Sequence, residues 1–361
     1  MFLAWRDLRV ARGRFALVGA VIGLVALLTT LLSGLATGLV DDGISGLRSL
    51  PLTHLAFQPG ADSVFSRSSL NEANLEPWRA AAGIETSPLG VSFFNAKASN
   101  GESLDLAVFG VPPDSFLAPE VDGQRVLGPA NGVVLDESFR EQGVAVGDEI
   151  RVVGPEENLR VLGFAPSGSY GHVAMAFTTL ETWQELLYGD GARGRFSAIA
   201  VRAPAGTSFE AIDRAADTET KTKSGAYAGS PGFTAETATM NLIRGFLVVI
   251  SALIVGAFFT VWTVQRTHQI GLLKAMGASN AYVLRDALGQ LAVVLIAATL
   301  VGVVVGVGLG SLVGEGVPFS LRPGSVIGSA VVLVVLGMAG SLVAIRRITS
   351  VDPIVALGAE N

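Results

Sequence analysis

The chain has 361 residues, half of them hydrophobic and only 16% charged, with 44 glycines and a formal net charge of −6. The absence of cysteine excludes disulfides, thiolate metal sites and cysteine nucleophiles, and three histidines argue against a multi-histidine metal centre. A mean hydropathy of +0.53 is that of a membrane protein.

In chain order, segment 1–14 carries Arg6, Arg9, Arg12 and Arg14 and precedes residues 15–40, which contain no Asp, Glu, Lys or Arg. About 20 apolar residues cross a hydrocarbon core, whereas a signal-peptide core has about 7–15, so 15–40 reads as an anchor. Spans over 241–265 (charge-free from Gly245), 287–314 and 323–345 are also long enough. The pattern predicts an α-helical membrane protein with four transmembrane helices in a one-plus-three layout. A mixed α+β extracytoplasmic domain, 41–240, falls between the first and second helices. The remaining pieces are a coupling loop at 266–286, a short outer loop at 315–322 and a tail at 346–361. Arg266, Lys274, Arg285, Arg346 and Arg347 share a side with the N-terminal arginines if four helices cross. The positive-inside rule makes that side the cytoplasm, so both termini of this plasma-membrane chain are cytoplasmic. Residues 41–243 hold 14 Lys and Arg against 26 Asp and Glu, an acidic field that speaks against a nucleic-acid partner.

Within the outer segment, short apolar runs between Gly, Pro, Asn and Asp predict strands at 89–96, 104–111, 132–135, 149–153, 159–164 and 199–202. Helices are predicted at 137–142, 180–187 and 209–216. The Gly-, Ser- and Thr-rich stretch 221–230 reads as a linker. His172 follows Ser167-Gly168-Ser169-Tyr170-Gly171 and reads as part of a flexible turn. The acidic pairs Asp41-Asp42, Asp136-Glu137, Asp148-Glu149 and Glu156-Glu157 read as solvated turns. No catalytic constellation emerges, and no G-x-x-x-x-G-K-[ST] loop is present. The chain is therefore expected not to be an enzyme, and not to hydrolyse ATP itself.

The spans carry glycines four apart: Gly19 and Gly23, Gly34 and Gly38, then Gly302, Gly306, Gly310 and Gly314. Such spacing stacks them on one face and lets another backbone approach closely, within the chain or in a second copy. Between the second and third spans, Ile270, Leu273 and Lys274 fall on one side of a short amphipathic helix that Gly277 would stop. It reads as a surface connector or as a docking element for a soluble partner.

The segment Arg266-Thr267-His268-Gln269-Ile270-Gly271-Leu272-Leu273-Lys274-Ala275-Met276-Gly277 resembles the signature after the second helix of FtsX/MacB-type ABC transporter permeases. Arg346-Arg347 through Val351-Asp352-Pro353 is similar to that superfamily's C-terminal pattern. Gly132-Val133-Val134-Leu135-Asp136 with Gly143 to Asp148 is similar to its outer-domain motif. Gly13-Arg14-Phe15-Ala16-Leu17, Thr260-Val261-Trp262-Thr263 and Val317-Pro318-Phe319-Ser320-Leu321 resemble its haem-exporter branch. Gln269 stands where the superfamily usually has an acid, and the outer half of the first span has Thr29 and Thr30 but no Met.

The resemblance implies a homodimeric efflux permease with two cytoplasmic ABC ATPase subunits. ATP-Mg would be held in those partners, with no cofactor bound permanently to this chain. Arg266, Gln269, Ile270, Leu272, Leu273, Lys274 and Met276 would form the ATPase contact, and mechanotransmission would move the outer domain. Haem or another amphiphile would enter from membrane lipid, with Glu236, Met240, Arg244, Thr29 and Thr30 as candidate substrate-binding residues and no metal site. Alternatives are export of a lipid, peptide or antibiotic, and FtsX-like regulation of a cell-wall hydrolase.

Overall fold

In this computed structural model, residues 12–128, 131–155, 157–189, 194–265, 276–314 and 317–348 are described. The elements begin with α1 (Arg12–Ser49), β1 (His54–Phe57), α2 (Glu72–Arg79), β2 (Glu85–Lys97), β3 (Ser103–Val111), β4 (Glu120–Val121) and β5 (Gln124–Arg125). There follow β6 (Gly132–Asp136), β7 (Glu149–Val152), β8 (Asn158–Ala165), β9 (Ser169–Tyr170), β10 (Val173–Thr179), α3 (Leu180–Tyr188) and β11 (Ala198–Arg202). The chain ends with α4 (Glu210–Ala216), β12 (Glu219–Thr222), α5 (Lys223–Ala226), α6 (Phe233–Gln265), α7 (Asn280–Gly310) and α8 (Pro323–Ile348). It divides into two compact units, Val40–Glu236, and Met1–Leu39 with Thr237–Asn361.

The second of these units is helical. Among the described residues, four helices are long and apolar enough to cross a membrane: Ala16–Ser49, Phe233–Ala257, Arg285–Gly310 and Pro323–Gly340. Its buried centre is Val18, Ile22, Ala26, Val255, Leu291, Leu295 and Leu333. Leu17, Leu253, Leu300, Val301, Val304 and Ile327 face outward, a surface that matches lipid and would be a liability in water. Local signals set the helix ends. Gly277 takes φ +95°, Ser279 caps α7 by accepting from the Tyr282 N–H, and Pro323 opens α8 where its missing N–H costs nothing.

α1 has 38 residues, roughly 57 Å at 1.5 Å each, against a hydrocarbon core of roughly 30 Å. It continues past the charge-free run to Ser49, and α6 starts at Phe233, ahead of its own run. The Asp41-Asp42 pair therefore lies in a helix and not in a solvated turn. Asp41 meets Arg48, which stands seven residues on and so on the same face.

The other unit is built on a ten-stranded sheet in the order β12-β1-β11-β2-β3-β10-β6-β8-β7 with β9 beside β10. The long β2 serves two neighbourhoods. Its first half pairs with β11, and its far end, at Ala96 and Lys97, pairs with β7. That second pairing closes the sheet on itself through β2, β3, β10, β6, β8 and β7. Leu106, Val108, Val133, Leu135, Ile150, Leu159 and Val161 fill one core of this unit, each side chain worth roughly 1.5–3 kcal/mol of burial. Gly90 and Gly110 sit opposite each other in β2 and β3, and a Cβ on either would overlap the Trp183 indole of α3. The missing side chains make the groove that seats the ring, whose Nε1–H donates to Ser92 Oγ at 3.2 Å.

Two sequence expectations fail here for identifiable reasons. Residues 221–230 are not a linker. Thr222 caps α5, Lys223 Nζ donates to the Leu50 carbonyl, Ala226 is fully buried, and a Cβ on Gly229 would overlap the Ser63 carbonyl. The small residues there permit close packing rather than flexibility. Asp136 is not solvated either; its carboxylate is buried and accepts from the backbone N–H groups of Ser138, Ser167 and Gly168. It organises the turn that leads into β9.

Candidate functional site

The sheet unit contains one polar cluster that local sequence did not disclose. β9 and β10 form a tight hairpin whose tip, Gly171-His172, takes left-handed backbone at both positions, φ +60° and +64°. That conformation turns the imidazole between the end of α1 and the start of α6. His172 Nδ1 lies 2.9 Å from Asp42 Oδ2, and Nε2 lies 3.0 Å from Glu236 Oε1. The ring is not in a flexible turn. The backbone around it is also held. Gly171 N–H donates to the Gly43 carbonyl, Ser169 N–H to Ser45 Oγ, and Ser169 Oγ to the Asp42 carbonyl. On the other flank, Ser230 Oγ donates to the Gly43 carbonyl and Tyr170 Oη to the Gly229 carbonyl.

The electrostatics follow from these contacts. Burial pulls the His172 pKa down, but the hydrogen bonds and charges of Asp42 and Glu236 outweigh it and hold the pKa above the ordinary histidine value. Burial alone raises the neighbouring Tyr170 phenol. Beside the cluster is an open cleft of about 430 Å³ lined by Asp42, Asp105, Asp136, Gln142, Ser169 and His172, among others. No group of three or more His, Cys, Asp or Glu suited to a metal ion occurs among the described residues.

In the helical unit the predicted residues separate into different settings. Thr29 and Thr30 are buried, and each hydroxyl donates to the carbonyl four residues back, on Val25 and Ala26. Arg244 sits in α6 with one Nη 3.4 Å from the Ser33 carbonyl, while its buried Nε has no partner. Met240 is half-buried one turn before it. Glu236, one turn earlier still, is the carboxylate held by His172, so the pair Glu236 and Met240 is not presented as an open ligand set.

The predicted glycine faces come together within the chain except at Gly314, which lies beyond the end of α7 with nothing within 4 Å of its Cβ position. A Cβ on Gly302 would overlap the Gly23 carbonyl and stand 2.7 Å from Ala26 Cβ. A Cβ on Gly23 would lie 3.3 Å from the Ala298 carbonyl, and one on Gly306 would lie 3.0 Å from Thr30 Cβ. Gly19 has looser contact with Ala298. Farther along, Gly34 and Gly310 make room for the Phe319 ring, Gly38 for Pro318, and Ser320 N–H donates to the Gly34 carbonyl. The segment after α7 thus folds back onto α1.

Arg266, Gln269, Ile270, Leu272, Leu273 and Lys274 lie outside the described residues. Met276, at the edge of that stretch, is 70% exposed.

Residues 241–353 match the family described as FtsX-like permease C-terminal. Across 368 residues the chain is 25% identical to a protein of Staphylococcus haemolyticus named as a hemin transport system permease, HrtB, with 99% of each chain covered. It is 23% identical over 362 residues to an uncharacterized ABC transporter permease of Mycobacterium tuberculosis, again over 99% of each. Among solved structures, the periplasmic region of MacB from Actinobacillus actinomycetemcomitans is 16% identical, covering 51% of this chain and 94% of that one at a TM-score of 0.35. Residues 241–353 thus carry an FtsX-like permease C-terminal domain, and the whole chain aligns end to end with proteins named as ABC-type permeases.

Proposed function

We propose that the chain is the permease half of an efflux transporter that takes haem, or an amphiphile of similar shape and charge, from the membrane and expels it outward. Two copies would work with two cytoplasmic ATPase subunits that bind ATP-Mg, and ATP-driven closure of those subunits would push on residues 266–276. The helices would carry the push to the sheet unit by mechanotransmission.

The observation that carries the reading is Arg244. A cation placed in an apolar helix, half-buried and with a buried Nε left without a partner, is costly. Guanidinium matches the planar carboxylate of a haem propionate, and the apolar residues around it match a porphyrin face. The full-length likeness to permeases named for hemin transport supports the same substrate class. Met240 supplies a thioether one turn away, chemically able to ligate iron.

The test is titration of the purified permease–ATPase complex with haemin, read as a Soret shift. Wild type is expected to bind. Arg244→Ala is expected to weaken binding roughly 10- to 100-fold, the range for losing a charge-assisted hydrogen bond of about 1.5–3 kcal/mol. Binding unaffected by Arg244→Ala removes this residue from the site, and no Soret shift in wild type removes haem.

A further inference from the structure

The two contacts of His172 have a chemical requirement. An ionised carboxylate only accepts hydrogen bonds, and a neutral imidazole has one N–H. Two carboxylates at 2.9 and 3.0 Å, one on each ring nitrogen, are both satisfied only by imidazolium. A neutral ring would set a nitrogen lone pair against a carboxylate oxygen on one side.

The two sides are unequally supported. The end of α1 is also held to the hairpin by the bonds from Gly171 to Gly43, Ser169 to Ser45 and Ser169 to Asp42. The first turn of α6 meets the hairpin tip through Glu236. Gly232, at φ +79°, leaves space for that carboxylate, since a Cβ there would overlap Glu236 Oε1. Ser230 Oγ donates to the Gly43 carbonyl and Tyr170 Oη to the Gly229 carbonyl, holding the segment just before α6, so what depends on the proton is the contact that Glu236 makes from the helix's own first turn.

We propose that His172 is a positioning residue, a brace that fixes the first turn of α6 to the outer hairpin and the end of α1 only while the imidazole carries both protons. The titratable groups facing it are Asp42 from α1, Glu236 from α6, and Asp105 of β3 and Asp136 of β6 across the cleft. All are carboxylates, and Asp136 is already committed to three backbone N–H groups. The sign is fixed by the raised pKa of the folded state. The brace is complete below the ordinary histidine value of about 6.5 and is lost as pH rises through the higher folded value. This inference does not depend on which substrate is carried.

The chain contains no cysteine, so an introduced pair is unique. Spin labels at Glu137→Cys just after β6 and Ala235→Cys in the first turn of α6, both at exposed positions of the same unit, report the separation by pulsed electron resonance in the full-length chain in nanodiscs. A narrow distance distribution is expected at pH 5.5 and a broader second population at pH 8.5. His172→Asn, which tolerates left-handed backbone but does not titrate, is expected to show the broad population at both. Glu236→Gln is the discriminating variant. Its amide N–H can donate to the unprotonated Nε2 of a neutral ring, so the distribution should stay narrow at both pH values. A wild-type distribution that ignores pH overturns the proposal. So does a wild-type pH response in either variant, and Glu236→Gln keeps the test decisive if His172→Asn fails to insert.

Discussion

Leu273→Asp is expected to abolish ATP-driven export while the permease still inserts in normal amount. In the proposed mechanism, residues 266–276 are the handle on which the ATPase acts, and at helical spacing Ile270 and Leu273 would fall on one side of it. An apolar helix face laid in a partner's groove depends on a few buried anchors, and truncating one commonly costs 2 kcal/mol or more. A carboxylate in that groove adds a desolvation cost without a partner. Such a loss is about 30-fold in affinity at the least, enough to separate subunits at ordinary expression levels. Affinity purification of the mutant permease should recover little ATPase, and export should fall to the level of cells lacking the ATPase. Recovery of a fully active complex would contradict the docking role.

The second large effect lies in the bundle. Gly302→Ala places a methyl group on the Gly23 carbonyl and against Ala26 Cβ. Neither obstacle can rotate away, because one is backbone and the other is the first atom of its side chain. The helices must separate locally, and overpacking of this kind costs about 1–3 kcal/mol. Gly308 is the internal control. It lies on the same helix with nothing within 4 Å of its Cβ position, so Gly308→Ala is neutral or slightly stabilising through helix propensity. Thermal unfolding of the two variants in detergent should differ by several degrees, with Gly302→Ala lower. Equal midpoints would show that the close approach of α1 and α7 is not what holds the bundle.

These two predictions rest on different kinds of legibility. The four long apolar helices follow from the spacing of charges, since lipid admits few of them and the sequence must obey. The helix ends do not follow, because a charge ends an apolar run without ending a helix. Asp41, Asp42 and Arg48 lie inside α1, and Glu236 lies inside α6. In the sheet unit, β2, β3, β6 and β11 lie where their apolar runs put them. β10, Val-Ala-Met-Ala-Phe-Thr-Thr, was not anticipated: it sits between two strands and has little alternation to detect. The closure of the sheet by Ala96 on Val152 is a long-range pairing with no local signature.

The candidate site divides the same way. Arg244 is visible because any Arg beside an apolar run asks for an explanation. His172 is not, because its partners are 130 and 64 residues away and its own surroundings read as a loop. One signal was available. The acidic pair Asp41-Asp42 closes the first apolar run and Glu236 precedes the second, so a cation between them was a reasonable thing to seek.

The account as a whole requires residues 266–276 and the sheet unit to lie on opposite sides of the membrane. Single cysteines at Met276→Cys and Glu102→Cys, both exposed positions in a cysteine-free chain, allow this to be read with a membrane-impermeant maleimide on intact cells. Labelling at position 102 in intact cells, and at position 276 only after permeabilisation, is the predicted result; labelling of position 276 from outside would contradict it.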